Sequence, residues 1–188
     1  TNAAATYPRV IGHEIVGVLL GSYIAGVYEE LDSAGTQVST TLKEPLYSDS
    51  FMDAILWSST TIPSDALVTN GCMEVNRNAF VQFKDGWTAR YEEGKTNDPL
   101  VVSILDCRSI TLLVLRIKDT KAVNATVTTV TDGTYTTKNA LNYLGVNSSY
   151  ADAVQVYSSD TAKDVTLRIE PQLDEEGEYF TLLGIMVA

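Results

Sequence analysis

Over most of its length this chain alternates apolar and polar residues with a period of two, as half-buried β-strands do, and few stretches carry the 3.6-residue period of a helix. Residues 111–118 (TLLVLRIK) and 123–131 (VNATVTTVT) are dominated by β-branched and apolar side chains, and the second run leads through Asp132-Gly133 into TYTT. Asp-Gly between two such runs predicts a hairpin, because a type I′ turn needs positive φ at both central positions. Asp85-Gly86 predicts another, joining 79–84 (AFVQFK) to 87–91 (WTARY). Further on, Val165, Leu167 and Ile169 share one face, and DEEG then turns the chain into 179–188 (YFTLLGIMVA). Nine to eleven strands are expected in all. Two short helices are expected beside them, at 48–57 (SDSFMDAILW), with Ser48 or Asp49 as cap, and at 138–144.

Many short strands with turn signals between them predict an all-β chain, an antiparallel sandwich of jelly-roll type whose two sheets bury their inner faces against each other. No linker or repeated block interrupts the pattern. The expected division is an apolar N-terminal strand arm, residues 1–45, followed by a sandwich over 46–188. Within the arm, 10–28 (VIGHEIVGVLLGSYIAGVY) is the most hydrophobic part of the chain and contains a Gly17-xxx-Gly21 spacing. His13 and Glu14 leave only fourteen uncharged residues, 15–28, where a membrane-spanning helix needs about twenty. The segment is therefore read as two buried strands, or one long strand bent at glycine bulges. Its candidate interface residues are Val10, Ile11, Ile15, Val16, Val18, Leu19, Leu20, Tyr23 and Ile24.

Charge narrows the partners. The 188 residues carry 13 Lys plus Arg against 24 Asp plus Glu, a net charge of −11, which opposes binding to nucleic acid or an anionic membrane surface. With 45% hydrophobic residues the chain can bury a core of its own. Thr1 is the kind of small residue left when an initiator Met is trimmed, which fits synthesis in a cytoplasm, and no basic signal-like segment precedes the apolar stretch.

The single histidine and two cysteines limit the chemistry most. His13, Cys72 and Cys107 cannot supply a four-ligand zinc site or a catalytic site needing several histidines. Cys72 and Cys107 read as buried thiols in preference to a disulfide. No G-x-S-x-G elbow, dinucleotide fingerprint or phosphate-binding loop is present, and a triad would need His13 from inside the apolar arm. The acidic groups at 92–98 (EEGKTND) and 174–178 (DEEGE) fall in expected turns, where charge serves solvation before calcium binding or glycoside cleavage. No enzyme activity, cofactor or metal is expected. Ten Tyr and two Trp raise a different possibility, since such rings stack on sugars. Trp87, Tyr135 and Tyr143 are the candidate glycan-binding aromatics.

In order, FVQF at 80–83, RSITLLVLR at 108–116, the TDG turn at 131–133, VQVYS at 154–158, DVTLRI at 164–169 and the terminal YFTLLGI at 179–185 resemble a jelly-roll module of the broad galactose-binding-like type. Such modules are found beside esterases, as carbohydrate-binding modules and in phage tail and fibre proteins. The resemblance covers residues 71–188 and leaves the first seventy outside it. It implies a non-enzymatic domain that binds or assembles. The leading expectation is a virion component, a capsid decoration, collar or tail protein made in the host cytoplasm, whose arm contacts copies of itself or other virion proteins. The alternative is an extracellular carbohydrate-binding module with a loop end that gathers exposed aromatics beside amide and acid groups.

Overall fold

The computed structural model describes residues 54–145 and 148–188, together with Leu20, Ser22 and Ala25. The chain divides into two compact units, Thr1–Leu46 and Tyr47–Ala188. In the first unit, Leu20, Ser22 and Ala25 are helical and exposed, where the sequence led us to expect strand. β-Branched residues depress helix propensity by fractions of a kcal/mol and glycine by about 1 kcal/mol, too little for neighbours of these types to exclude helix at the three positions. Val10, Ile11, Ile15, Val16, Val18, Leu19, Tyr23 and Ile24 lie outside the described residues, as does His13. No helix among the described residues is long and apolar enough to cross a membrane.

The described residues of the second unit are all-β, with nine strands: β1 Ile55–Trp57, β2 Leu67–Thr69, β3 Met73–Asn76, β4 Gly86–Arg90, β5 Leu100–Arg116, β6 Ala125–Thr131, β7 Thr134–Ala140, β8 Tyr150–Pro171 and β9 Tyr179–Val187. Every strand pairing is antiparallel. Two strands are long enough to serve both layers of a sandwich. The first half of β5 pairs with β2 and with the second half of β8, which continues through β6 to β7. The second half of β5 pairs with the first half of β8 on one side and with β9 on the other, followed by β4 and β3, with β1 alongside the end of β9. Between the halves β5 breaks register at Ile104/Cys107 and Cys107/Ser109, and Asp106 takes a positive φ of 51°. Its amide donates to Asp164 Oδ1 at 3.0 Å, so a carboxylate from β8 pins the bend.

Alternation fixes what each layer buries. Leu100, Val102, Ile104, Val127, Val165, Leu167 and Ile169 from one layer meet Trp87, Ile110, Leu112, Val114, Phe180, Leu182 and Ile185 from the other in one core. Leu113, Leu115 and Leu183 face the opposite way and form a second cluster with Ala79, Phe80 and Phe83 of the turn between β3 and β4. That second cluster explains why 111–118 reads as a near-continuous apolar run: both faces of this strand are covered.

Three expectations are corrected here. Residues 55–57 and 138–140, read as parts of short helices, are strand; the pairings of β1 with β9 and β7 with β6 overrode the local pattern. Asp85-Gly86 is not a hairpin tip, because β4 pairs back with β3 across the turn 77–85, which closes on itself through Ala79 N–H to Lys84 O at 3.0 Å. Gly86 is required for space: a Cβ there would lie 2.5 Å from Leu182 O and 2.9 Å from Ala79 Cβ. The strands on either side of DEEG do not pair into a hairpin, since β8 delivers its second half to one layer and β9 belongs to the other. Asp132-Gly133 does make the expected type I′ turn, with φ of 50° and 73°. Cys72 and Cys107 are free thiols, the second buried.

Candidate functional site

The loops after β2, β4, β5, β7 and β8 gather at one end of the sandwich, and a wedge of polar side chain organises them. β5 and β9 run paired as far as Val114 and Leu182 and then separate. Asn142, fully buried, fills the split. Its carboxamide accepts from Thr181 N–H at 2.5 Å and donates to Thr181 O at 3.2 Å, while its backbone carbonyl accepts from Ile117 N–H at 2.8 Å. Leu144 N–H completes the set by donating to Ile117 O at 2.9 Å. One asparagine thus supplies the hydrogen bonds that a neighbouring strand would give β9, and it fixes the next residue, Tyr143, at the rim.

Tyr143 is half exposed and borders a cleft of about 430 Å³ lined by Thr120, Ala122, Val123, Asn124, Gln172, Asp174 and Glu178. The walls are held from behind. Val123 N–H donates to Tyr179 O at 2.9 Å and Gln172 N–H to Asn124 O at 2.9 Å. The Gln172 amide donates to Thr126 Oγ1 at 3.1 Å. Glu178 Oε2 accepts from the amides of Asp174 at 2.6 Å and Glu175 at 2.8 Å, which closes the DEEGE turn. Asn124 Oδ1 is buried without a hydrogen-bond partner. A carboxamide oxygen in that state costs roughly 1–3 kcal/mol.

Behind this rim Tyr179 donates to Asp119 Oδ2 at 2.9 Å, and the Arg90 guanidinium lies 5.8 Å from its ring centroid. Burial first, then the bond to Asp119 and its negative charge, push the Tyr179 phenol up to about 12, against the opposing pull of Arg90. Burial likewise pushes the Cys107 thiol up to about 11. Both groups hold their protons more tightly folded than unfolded, so the stability they contribute is complete below the ordinary values of 9.0 for Cys and 10.0 for Tyr. It is lost as pH rises toward 11 and 12. Urea midpoints should therefore fall between pH 9 and pH 12, and Tyr179→Phe should flatten the upper part of that fall. Equal slopes in the two proteins would show that Tyr179 is not the group responsible.

The sequence-selected aromatics are not brought together. Trp87 is fully buried in the core, its indole N–H donating to Asn70 Oδ1 at 3.2 Å, so it has no ring face to offer a ligand. Tyr135 is 72% exposed but sits at the Asp132-Gly133 end of β7, about 17 Å of strand from Ala140 at the other end. Tyr143 alone of the three stands in a cleft. Both acidic turns lie at the loop end, where Glu92 is paired with Lys95, Asn97 donates to Leu173 O at 2.8 Å, and Lys121 meets Glu175 at 3.2 Å. Among the described residues no group of three or more His, Cys, Asp or Glu is placed to hold a metal ion. Asn142, Asn124 and Gln172 were missed. Asn142 fell within a stretch read as helix, and isolated amides in Thr-rich strand ends carry no spacing signal.

Shared long strands, two antiparallel layers and a terminal strand in the middle of one of them make this a jelly-roll-like β-sandwich. At the level of sequence, no family model and no curated protein matches the chain. Among solved structures it is similar to a two-domain esterase active on acetylated mannans, both in crystals grown with mannopentaose (TM-score 0.69, 16% identity) and without it (TM-score 0.62, 17% identity). Each match covers 96% of this chain and 47% of the esterase. The chain thus spans about half the length of the enzyme it resembles, and at this identity the likeness is one of fold.

Proposed function

We propose that the sandwich is a non-catalytic carbohydrate-binding module, working outside the cell, whose neutral sugar ligand lies in the Tyr143 cleft. The observation that carries this reading is the half-exposed Tyr143 ring at the rim of a 430 Å³ cleft that also presents Asn124, Gln172 and Asp174. A ring face takes the apolar side of a pyranose, and amide and carboxylate groups beside it take the hydroxyls. Support in kind comes from the shared fold, since the esterase half-matched by this chain acts on a mannan. The virion-assembly reading rests on the candidate interface residues of the arm, of which Leu20 alone is described, and nothing in the structural likenesses points to a virion component.

Manno-oligosaccharides are the first probe. Titrated into isotopically labelled protein, they should shift the amides of 120–124, 143 and 172–178 and leave those of the β6–β7 turn in place. Tyr143→Ala should weaken binding about tenfold, the equivalent of 1.4 kcal/mol, while Tyr143→Phe keeps most of it. Absence of binding to mannose-, glucose-, galactose- and xylose-based oligosaccharides alike would overturn the proposal.

A further inference from the structure

We infer that the outer face of β3 and β4 carries a second binding site, for a singly charged, hydroxyl-bearing carboxylate. A groove of about 590 Å³ is lined there by Glu74, Val75, Asn76, Arg77, Thr88 and Arg90. Alternation explains the membership: Trp87 and Ala89 point into the core, so Thr88 and Arg90 point out, and the register sets Glu74 opposite Thr88. Glu74 and Arg90 also line a neighbouring cleft of about 330 Å³ with Asn97 and Asp98, so the two depressions meet.

The polar floor is fixed. Asn78 N–H donates to Asn76 Oδ1 at 2.9 Å, Asn76 Nδ2 donates to Thr88 Oγ1 at 2.8 Å, and Thr88 Oγ1 meets Thr181 Oγ1 at 3.2 Å. Each side chain is held in one rotamer by its neighbour, and one N–H of Asn76 remains for a ligand. Above this floor stand two guanidiniums. Arg77 and Arg90 enter no ion pair among the described residues, although acidic residues outnumber basic ones by 24 to 13 along the chain. Arg90 Cζ lies over the Tyr179 ring, 5.8 Å from its centroid, a cation–π contact that engages no hydrogen-bond acceptor.

Charge selects the ligand. In the groove itself Arg77, Arg90 and Glu74 sum to one net positive charge, Lys95, Glu92 and Asp98 of the adjoining cleft bring the whole to zero, and the three carboxylates oppose a dianionic sulfate or phosphate more than a monoanion. A carboxylate fits the planar fork of an arginine, and Glu74 with Asn76 can serve hydroxyls on the same molecule. An acidic sugar within a glycan and a free sugar acid share this chemistry. The site is separate from the Tyr143 cleft and stands or falls without it.

The test is calorimetric titration of the full chain at low ionic strength with glucuronosyl-xylotriose, which carries a single carboxylate, with gluconate, with inorganic sulfate and with a neutral manno-oligosaccharide. At least one carboxylate should bind, with affinity that falls as salt is added and that sulfate does not abolish. Arg77→Gln, a change in an exposed turn, should weaken it about tenfold, and Arg77→Lys should recover part of the loss because it restores charge without the fork. Arg90→Gln should match Arg77→Gln once its fold is verified, and Tyr143→Ala should leave carboxylate binding unchanged. Glucuronosyl-xylotriose alone assigns the glycan as source, gluconate alone assigns the free acid, and both together assign the carboxylate as the determinant. Binding of neither carboxylate, binding indifferent to Arg77→Gln and Arg90→Gln, or equal competition by sulfate would overturn the inference.

Discussion

Trp87→Ala should lower unfolding free energy by about 3–5 kcal/mol, the range found for emptying a fully buried large aromatic site. The indole has no exposed surface, lies between layers at the centre of the core, and pairs in register with Leu182 of β9. Its one polar atom is satisfied by Asn70 in the loop between β2 and β3, so truncation also leaves that carboxamide without its donor. Neighbours cannot collapse into the space cheaply, because Gly86 already holds β4 against Leu182 O and Ala79. Trp87→Phe keeps most of the volume and should lose clearly less. Denaturant titration decides it: a Trp87→Ala chain within about 1 kcal/mol of the parent would mean that the core does not pack around this ring as described.

Asn142→Ala carries the second large effect, and it reaches both stability and binding. Removing the carboxamide strands a buried N–H and a buried C=O on Thr181, each costing roughly 1–3 kcal/mol, so a loss of about 2–6 kcal/mol is expected. Asn142→Asp should not rescue it, since the acid can accept from Thr181 N–H but, once ionised, cannot donate to Thr181 O. The residue is a positioning one, acting through Tyr143. At temperatures where the variant remains folded, sugar binding at the Tyr143 cleft should fall while carboxylate binding at β3 and β4 is kept. A loss of stability with sugar binding intact would separate the wedge from the cleft.

Local pattern made the strands legible where one layer alone set the alternation. The β6–β7 hairpin is the clearest case, because Asp132-Gly133 can meet the φ requirement of its turn from two adjacent residues. Legibility failed where a residue's role depends on partners far along the chain. Gly86 looks the same in sequence whether it turns a hairpin or makes room for Leu182 and Ala79, and the distinction comes from β9, almost a hundred positions later. Residues 138–140 carry an amphipathic spacing, yet seven pairings to β6 hold the whole of β7 extended. The candidate site was legible only through Tyr143. Trp87 and Tyr143 are both aromatics beside turns, and nothing in their neighbours along the chain tells that one fills the core and the other its rim.

Because β5 and β8 each belong to both layers, no line can be drawn through the sandwich that separates one sheet from the other without breaking these two strands. Neither layer can melt while its partner keeps its ladder, so the backbone amides of Val102, Leu112, Val127, Leu167 and Phe180 should exchange with solvent deuterium through one shared global opening. The frame is indivisible, so residues of the rim that lie outside the two shared strands can vary in sequence without loosening the barrier that protects the fold.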